Sequence, residues 1–333
     1  MKKAYQINVQ SISKSFDISI KEPGLKGTIK HFLNRKTIKK QIVKNINFNV
    51  QEGEIVGFLG ANGAGKTTIL KILCGLLYPS EGYVSVAGAI PSARKKEFLK
   101  NITLIMGQKQ QLIWDLPPID SLNLNAAVYE IGEQEFKDRI VKLSEMLKIN
   151  NELYVPVRKL SLGQRMKAEL IAALIHNPKI LFLDEPTLGL DINAQANLRE
   201  FLKTYNKETG ATILLTSHYM KDITYLCERV ICIHKGYIKY DGKLQELLKN
   251  LSPNKEFSIV CKEDIRIEDF KELNLEIRNI SKNEIKFTIQ KSVIEKTLKI
   301  IINKYKIEDL QINETPIDEI IGKILINEKL DVK

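Results

Sequence analysis

No stretch of the chain approaches the ~18 consecutive apolar residues that a membrane-crossing helix needs, so the sequence offers nothing of its own to place across a bilayer. Nor does Met1-Lys2-Lys3 lead into the apolar core of a signal peptide; mixed polar residues follow, and the expectation is a cytoplasmic chain. Cysteine is scarce: the four present, Cys74, Cys227, Cys232 and Cys261, form no C-x-x-C pair and suggest no disulfide framework. Cys227, Cys232 and His234 are near one another, but a switch from helical to strand pattern separates them, which argues against a metal site. There is one tryptophan, Trp114, and acidic residues are outnumbered by basic ones, 40 to 51, for a net charge of +11. That deficit of negative charge favours an anionic partner, nucleic acid or the anionic face of a membrane, against the plainer reading of a lysine-rich composition.

Against these absences stands one strong local pattern. Gly60-Ala61-Asn62-Gly63-Ala64-Gly65-Lys66-Thr67-Thr68 follows the apolar run Glu54–Leu59 and precedes apolar residues at helical spacing, Ile69, Leu70, Ile72 and Leu73. Strand, glycine loop, Lys-Thr and helix in this order form a phosphate-binding P-loop. The glycines permit backbone angles that turn amide N–H groups inward, and the helix beginning near Lys66 adds its positive end. Lys66 then reaches the β- and γ-phosphates, and the Thr67 hydroxyl serves Mg²⁺.

A second apolar run, Lys179-Ile180-Leu181-Phe182-Leu183, ends in Asp184-Glu185-Pro186. It predicts a buried parallel strand with two carboxylates at its C-terminal tip, where open α/β sheets bind ligands. Paired with the P-loop it forms a Walker B motif, with Asp184 for Mg²⁺ and Glu185 to polarise the water that attacks the γ-phosphate. Between the two lies Leu160-Ser161-Leu162-Gly163-Gln164-Arg165, opening an amphipathic helix from about Gln164 to Ile175 with Ser161 as its N-cap.

Ser161-Leu162-Gly163-Gln164, placed before an Asp-Glu strand in a P-loop chain, resembles the signature of the ABC ATPases, usually Leu-Ser-Gly-Gly-Gln; Leu162 replaces the first glycine. Leu190-Asp191 is similar to the family's D-loop, Ser217-His218 at the end of Thr212–Thr216 to its switch histidine, and Gln108 after Ile102–Met106 to its Q-loop residue. The ordered set spans about residues 5 to 245. No Asn-Lys-x-Asp motif for reading guanine occurs.

The resemblance implies an α/β fold: a P-loop NTPase (RecA-like) ABC ATPase core with an antiparallel β edge and a helical subdomain, plus a small α+β C-terminal domain. It implies ATP and Mg²⁺ as ligands, with Glu185, His218, Lys66 and Gln108 in catalysis, and Thr67, Gln108 and Asp184 at the metal. Nucleotide contacts come from Gly60, Ala61, Asn62, Gly63, Ala64, Gly65, Lys66, Thr67 and Thr68, from Phe16 stacked on adenine, and from Ser161, Gly163, Gln164 and Asp191 acting on the partner copy's nucleotide. One P-loop and one signature make half of each of two sites, so a head-to-tail dimer closed by ATP is expected. A Pro-Gly-Leu-Lys-Gly insertion and the Gly107-Gln108-Lys109…Trp114-Asp115-Leu116-Pro117 segment resemble a subgroup of ABC-2 type export ATPases. The implied partners are a separate membrane permease and a second copy of the chain, with no nucleic acid, and the implied location is peripheral on the inner face of the cell membrane.

The expected division is an ATPase domain over 1–248 and a C-terminal accessory domain over 249–333. Within the first, Tyr5–Val9 and Ile42–Val50 read as strands around an insertion, Lys21–Lys40, with seven Lys or Arg and one Glu. Leu25, Ile29, Phe32 and Leu33 share a helical face there, so a basic amphipathic helix suited to a membrane surface or to a partner is expected. Residues 112–170 read as the helical subdomain, with helices over Leu122–Tyr129 and Phe136–Leu147. In the last part Phe257–Val260, Ile285–Ile289 and Ile307–Ile312 read as strands, and Val293–Tyr305 and Ile317–Ile326 as helices. A soluble ABC ATPase acting on ribosomes or nucleic acid is the alternative. It would carry two P-loop domains, or, for DNA repair, a long heptad insertion in place of the roughly 95 residues between P-loop and signature.

Overall fold

The computed structural model describes residues 5–20, 24, 36–107, 110–251, 254–273, 275–290 and 293–314. The chain divides into two compact units, Met1–Gly242 with the last three residues, and Lys243–Leu330.

The first unit is organised on a six-stranded sheet in the order β5-β6-β7-β3-β8-β9. Its strands are β3 (Ile55–Leu59), β5 (Ile102–Met106), β6 (Ile180–Asp184), β7 (Thr212–Thr216), β8 (Arg229–His234) and β9 (Tyr237–Lys243). From β5 through β8 all pairs are parallel. Parallel strands are covered on both faces, which is why Ile180–Leu183 and Ile213–Leu215 are apolar without alternation and wholly buried.

Register does the functional work. Met106 pairs with Asp184, Asp184 with Thr216, and Thr216 with Phe58. The C-terminal ends of four neighbouring strands therefore finish at one level, the edge at which open α/β sheets present their chemistry.

A second, antiparallel sheet runs β2-β1-β4, from β1 (Ile7–Ile20), β2 (Lys36–Val50) and β4 (Glu81–Val86). Here the structure corrects the sequence reading. The two strands are far longer than Tyr5–Val9 and Ile42–Val50, and Lys36–Lys40, assigned to the helical insertion, instead pair with Phe16–Ile20 as the end of a long hairpin. Thr37, Ile38, Lys39 and Lys40 are all exposed, so this end of the strand is held by backbone pairing to β1 rather than by burial of one face. The proposed helical face, Leu25, Ile29, Phe32 and Leu33, lies outside the described residues. Phe48 of β2 packs edge-on against Phe58 of β3, ring centroids 5.5 Å apart, in the core shared by the two sheets.

Helix α1 (Lys66–Leu73) follows the P-loop and α2 (Lys96–Lys100) precedes β5. The helical subdomain comprises α3 (Pro118–Tyr129), α4 (Glu133–Leu147) and α5 (Leu162–Leu174). Then come α6 (Ile192–Thr209) and α7 (Met220–Leu226).

The second unit opens with α8 (Leu244–Leu251) and holds a four-stranded antiparallel sheet in the order β11-β12-β10-β13. Its strands are β10 (Asn254–Cys261), β11 (Glu276–Ile280), β12 (Glu284–Gln290) and β13 (Ile307–Glu314), with α9 (Ile294–Lys304) between the last two. Phe257 and Phe287 stack at 5.4 Å at the centre of a separate core. The expected helix Ile317–Ile326 lies outside the described residues.

Candidate functional site

Gly65 ends the P-loop as the N-cap of α1 with φ 111°, a left-handed angle that glycine adopts without strain. At Gly60 the constraint is contact: a β-carbon would lie 2.3 Å from the Ile233 carbonyl oxygen of β8. With no capping side chain at Gly65, the first amides of α1 face the loop. Lys66 is buried, and its ammonium donates to the carbonyls of Gly60 at 2.6 Å and Ala61 at 3.1 Å. Burial lowers its pKa, and the carboxylates of Glu185 and Asp184 oppose that shift.

The in-register strand ends bring the second half of the site to this loop. Asp184 accepts from the Thr67 hydroxyl at 2.8 Å through one oxygen and from the Thr216 hydroxyl at 2.7 Å through the other. Thr216 in turn receives the Glu185 amide at 3.1 Å. Glu185 has φ 54°, a strained angle for a side-chain-bearing residue, held because its amide is fixed to Thr216 and its carbonyl accepts from Leu188. A β-carbon at Gly107 would lie 2.5 Å from that same carbonyl, so β5 closes tightly on this turn. The turn aims the Glu185 carboxylate at His218, whose Nε2 is 2.7 Å from Oε1. A carboxylate and an imidazole so paired, half-exposed beside a phosphate loop, can orient a water and take its proton.

Ser161 and Gln164 form a capping box at the start of α5. The Ser161 hydroxyl accepts from the Gln164 amide at 3.2 Å, and the Gln164 side chain accepts from the Ser161 amide at 2.9 Å. Gln164 also donates to Glu152 at 3.1 Å, so its side chain is committed within its own chain, while the amides of Leu162 and Gly163 stay out of the cap. Asp191 caps α6, accepting from the Ala194 amide at 2.9 Å. The two helix starts touch: a β-carbon at Gly163 would sit 3.3 Å from that of Ala194, and one at Gly189 3.3 Å from Leu162. Leu162, in place of a glycine, thus covers the turn leading to Asp191.

Phe16 lies on β1 under the Lys14 ammonium, 5.1 Å from its ring centroid. Lys14 pairs with Val43, and Val43 is within 3.4 Å of a β-carbon built on Gly65, so this hairpin backs onto the P-loop. Gln108 lies outside the described residues.

Two groups escaped the sequence reading. Asp222 is fully buried; it pairs with Arg199 at 2.7 Å and accepts from the Thr187 and Ser217 hydroxyls, each at 2.6 Å. It ties the turn after Glu185 to the residue before His218. Glu169, buried in α5, accepts from the amides of Gln111 and Leu112. An acidic residue amid Ala168, Leu170 and Ile171 was the available signal for Glu169, whereas Asp222 stands in no apolar context that marks it.

Residues 43–188 match the ABC transporter family. The ABC transporter ATP-binding protein NatA of Bacillus subtilis is 35% identical over 221 residues, 66% of this chain and 89% of that protein. The Nod factor export ATP-binding protein I of Burkholderia thailandensis is 34% identical over 211 residues, 63% of this chain and 69% of that protein. In fold, the ATP-binding cassette MJ0796, solved as a dimer bound to ADP and Pi, superposes with a TM-score of 0.58 at 24% identity, over 72% of this chain and 98% of that one. Identity sustained along most of NatA's length settles the family: this chain belongs to the ABC transporters as an ATP-binding subunit, one that hydrolyses ATP in the service of transport.

Proposed function

We propose that the chain is the ATPase of an ABC-2 type export system and drives a separate membrane permease as a head-to-tail dimer. What supports this most directly is the meeting of Lys66, Thr67, Asp184, Glu185 and His218 at one sheet edge, with the signature helix start in the same unit but capped by its own side chains. Lys66 and the loop amides of Gly60–Thr68 bind the phosphates, and Phe16 supports the adenine. Glu185, oriented by His218, takes the proton of the attacking water. Ser161, Gly163, Gln164 and Asp191 close on the nucleotide of the second copy, where the N-terminus of α5 adds positive potential at the γ-phosphate.

Mg²⁺ fits this site. The Thr67 hydroxyl and the Asp184 carboxylate are hard oxygen donors 2.8 Å apart, and Mg²⁺ takes one or two such ligands together with substrate phosphates. Thr67, Asp184 and Gln108 would hold it, and when bound it neutralises charge on the β- and γ-phosphates.

Export rests on the resemblance of the segment around Trp114 and on the relative named for Nod factor export. Among the described residues no helix is long and apolar enough to cross a membrane, which agrees with a permease on another chain and a peripheral position on the inner face of the membrane. The division into an ATPase domain, 1–248, and an accessory domain, 249–333, belongs to the same reading.

The test is purification of the full chain from membranes as wild type and as Glu185→Gln. A co-purifying integral membrane protein is expected, with ATP retained and turnover down about 10²–10⁴-fold in the variant. Ribosomes or DNA in place of a membrane protein would instead establish a non-transport ATPase, to which the net charge of +11 is suited. Unchanged turnover in the variant would remove Glu185 from its role.

A further inference from the structure

Residues Gln111–Leu116 leave β5 and cross to the helical subdomain, presenting Ile113, Trp114 and Leu116 as exposed apolar side chains. A segment this exposed, with no secondary structure of its own, has little to hold it in place. Yet its backbone is engaged almost throughout. The Ile113 amide donates to the Ser121 hydroxyl at 3.0 Å. The carbonyls of Trp114 and Leu116 accept from the amides of Arg158 and Val157, at 3.1 and 3.0 Å. Asp115 pairs with Arg158, and the Arg165 guanidinium lies 5.1 Å from the Trp114 ring centroid.

The end of the segment nearest the sheet is held by one side chain. The Gln111 amide donates to both carboxylate oxygens of Glu169, at 2.9 and 3.1 Å, and the Leu112 amide adds a third bond at 3.3 Å. Glu169 is 6% exposed, and it lies on α5, whose first turn is the Ser161–Gln164 cap. Oε1 accepts from both adjacent amides and Oε2 from Gln111 as well, and a buried carboxylate needs such donors to be tolerated. Apart from Ser121 on α3, the residues that brace the segment, Val157, Arg158, Arg165 and Glu169, belong to the signature helix or the turn leading into it.

We propose that Glu169 is a positioning residue that clamps the exposed loop Gln111–Leu116 to the signature helix, so that the loop and the Ser161–Gln164 helix start move as one piece. A force on Ile113, Trp114 and Leu116 then reaches the signature without passing through the nucleotide. This rests on the reading of the subunit as a permease-driving ATPase for its purpose, but not for its existence.

Trp114 is the only tryptophan in the chain and reports the clamp directly. Time-resolved fluorescence anisotropy is measured on the full-length wild type, Glu169→Ala and Glu169→Gln, with folding checked by circular dichroism. Glu169→Gln keeps the shape and turns one acceptor into a donor facing an amide, so it carries the test if the alanine variant does not fold. The nanosecond component of the Trp114 decay is expected to grow about two-fold in the variants. Affinity for MgATP is expected to stay within about two-fold, because the P-loop supplies it. With the permease present, the extra ATP turnover that it induces is expected to be lost. Unchanged Trp114 motion in a folded variant overturns the clamp; so does a loss of MgATP affinity in step with the gain in motion, since Glu169 would then serve the stability of the whole unit. If wild-type turnover does not respond to any co-purified membrane protein, the permease reading fails, and the anisotropy still decides the clamp.

Discussion

His176 follows the C-terminus of α5 and stacks on Tyr129 with ring centroids 4.0 Å apart, its Nε2 3.1 Å from the Ile102 carbonyl oxygen of β5. That carbonyl accepts, so Nε2 carries the proton of a neutral ring, and Nδ1 is buried with no hydrogen-bond partner. Burial is the main reason its pKa falls from 6.5 to about 4; the Ile102 carbonyl opposes the shift and nearby Arg139 adds to it. The unfolded chain therefore binds this proton more readily than the folded one between pH 6.5 and 4, and stability drops as pH falls through that window. Lowering the pH from 7 to 5 is expected to cost about 2 kcal/mol through this residue. His176→Phe, which keeps a ring against Tyr129, should flatten that part of the profile in urea titrations at the two pH values; an unchanged slope would show that other groups carry the acid sensitivity. At this scale the sequence spoke only through local motifs. Lys66, Asp184, Glu185 and His218 were readable because each follows a strand that announces it. Thr216, Asp222 and Glu169 were not, because the partners that tie them to the site include Asp184, Thr187 and Gln111, 32, 35 and 58 residues away, and no local pattern encodes those pairings.

Helix α5 was readable in position and in its cap, since Ser161 followed three residues later by Gln164 is a start signal that the folded backbone uses. The β1–β2 hairpin was not, because its strand extension is decided by pairing between residues as far apart as Ile20 and Lys36 rather than by spacing within either strand. The cap also raises a question of mechanism, because the Ser161 hydroxyl has one duty inside its own helix and is assigned another at the nucleotide of the second copy. Two substitutions separate them. Ser161→Ala removes the cap and the hydroxyl together, and should cost about 1 kcal/mol in urea unfolding. Ser161→Gly costs only a few tenths at an N-cap, so it leaves the helix start nearly intact while deleting the hydroxyl. In the Glu185→Gln background, sedimentation with MgATP should show weakened dimerisation in both variants. Full dimerisation by Ser161→Gly would mean that the hydroxyl serves the cap alone and that the α5 amides supply the contact.

Among the described residues, one hydrophobic core is drawn from Ile7 to Ile233 and another from Phe257 to Tyr305. Each is assembled from residues of its own unit, Met1–Gly242 or Lys243–Leu330. Every residue assigned to the nucleotide lies in the first. A ligand stabilises only what binds it, so linkage can tell the units apart without cutting the chain. Saturating MgATP at ~100 times its dissociation constant should add about 2.7 kcal/mol to the unit that holds Lys66 and Asp184 and nothing to the other. Calorimetry of Glu185→Gln, which holds ATP unhydrolysed, is therefore expected to resolve two transitions, of which MgATP moves one upward and leaves the other in place. Loss of the 215 nm or near-ultraviolet signal cannot assign them, but Trp114 can, since it belongs to the first unit alone and its fluorescence should follow the transition that nucleotide moves. A single transition that shifts as a whole would mean that the second core does not unfold independently, and the C-terminal unit would then have to be treated as part of the ATPase rather than as an appendage to it.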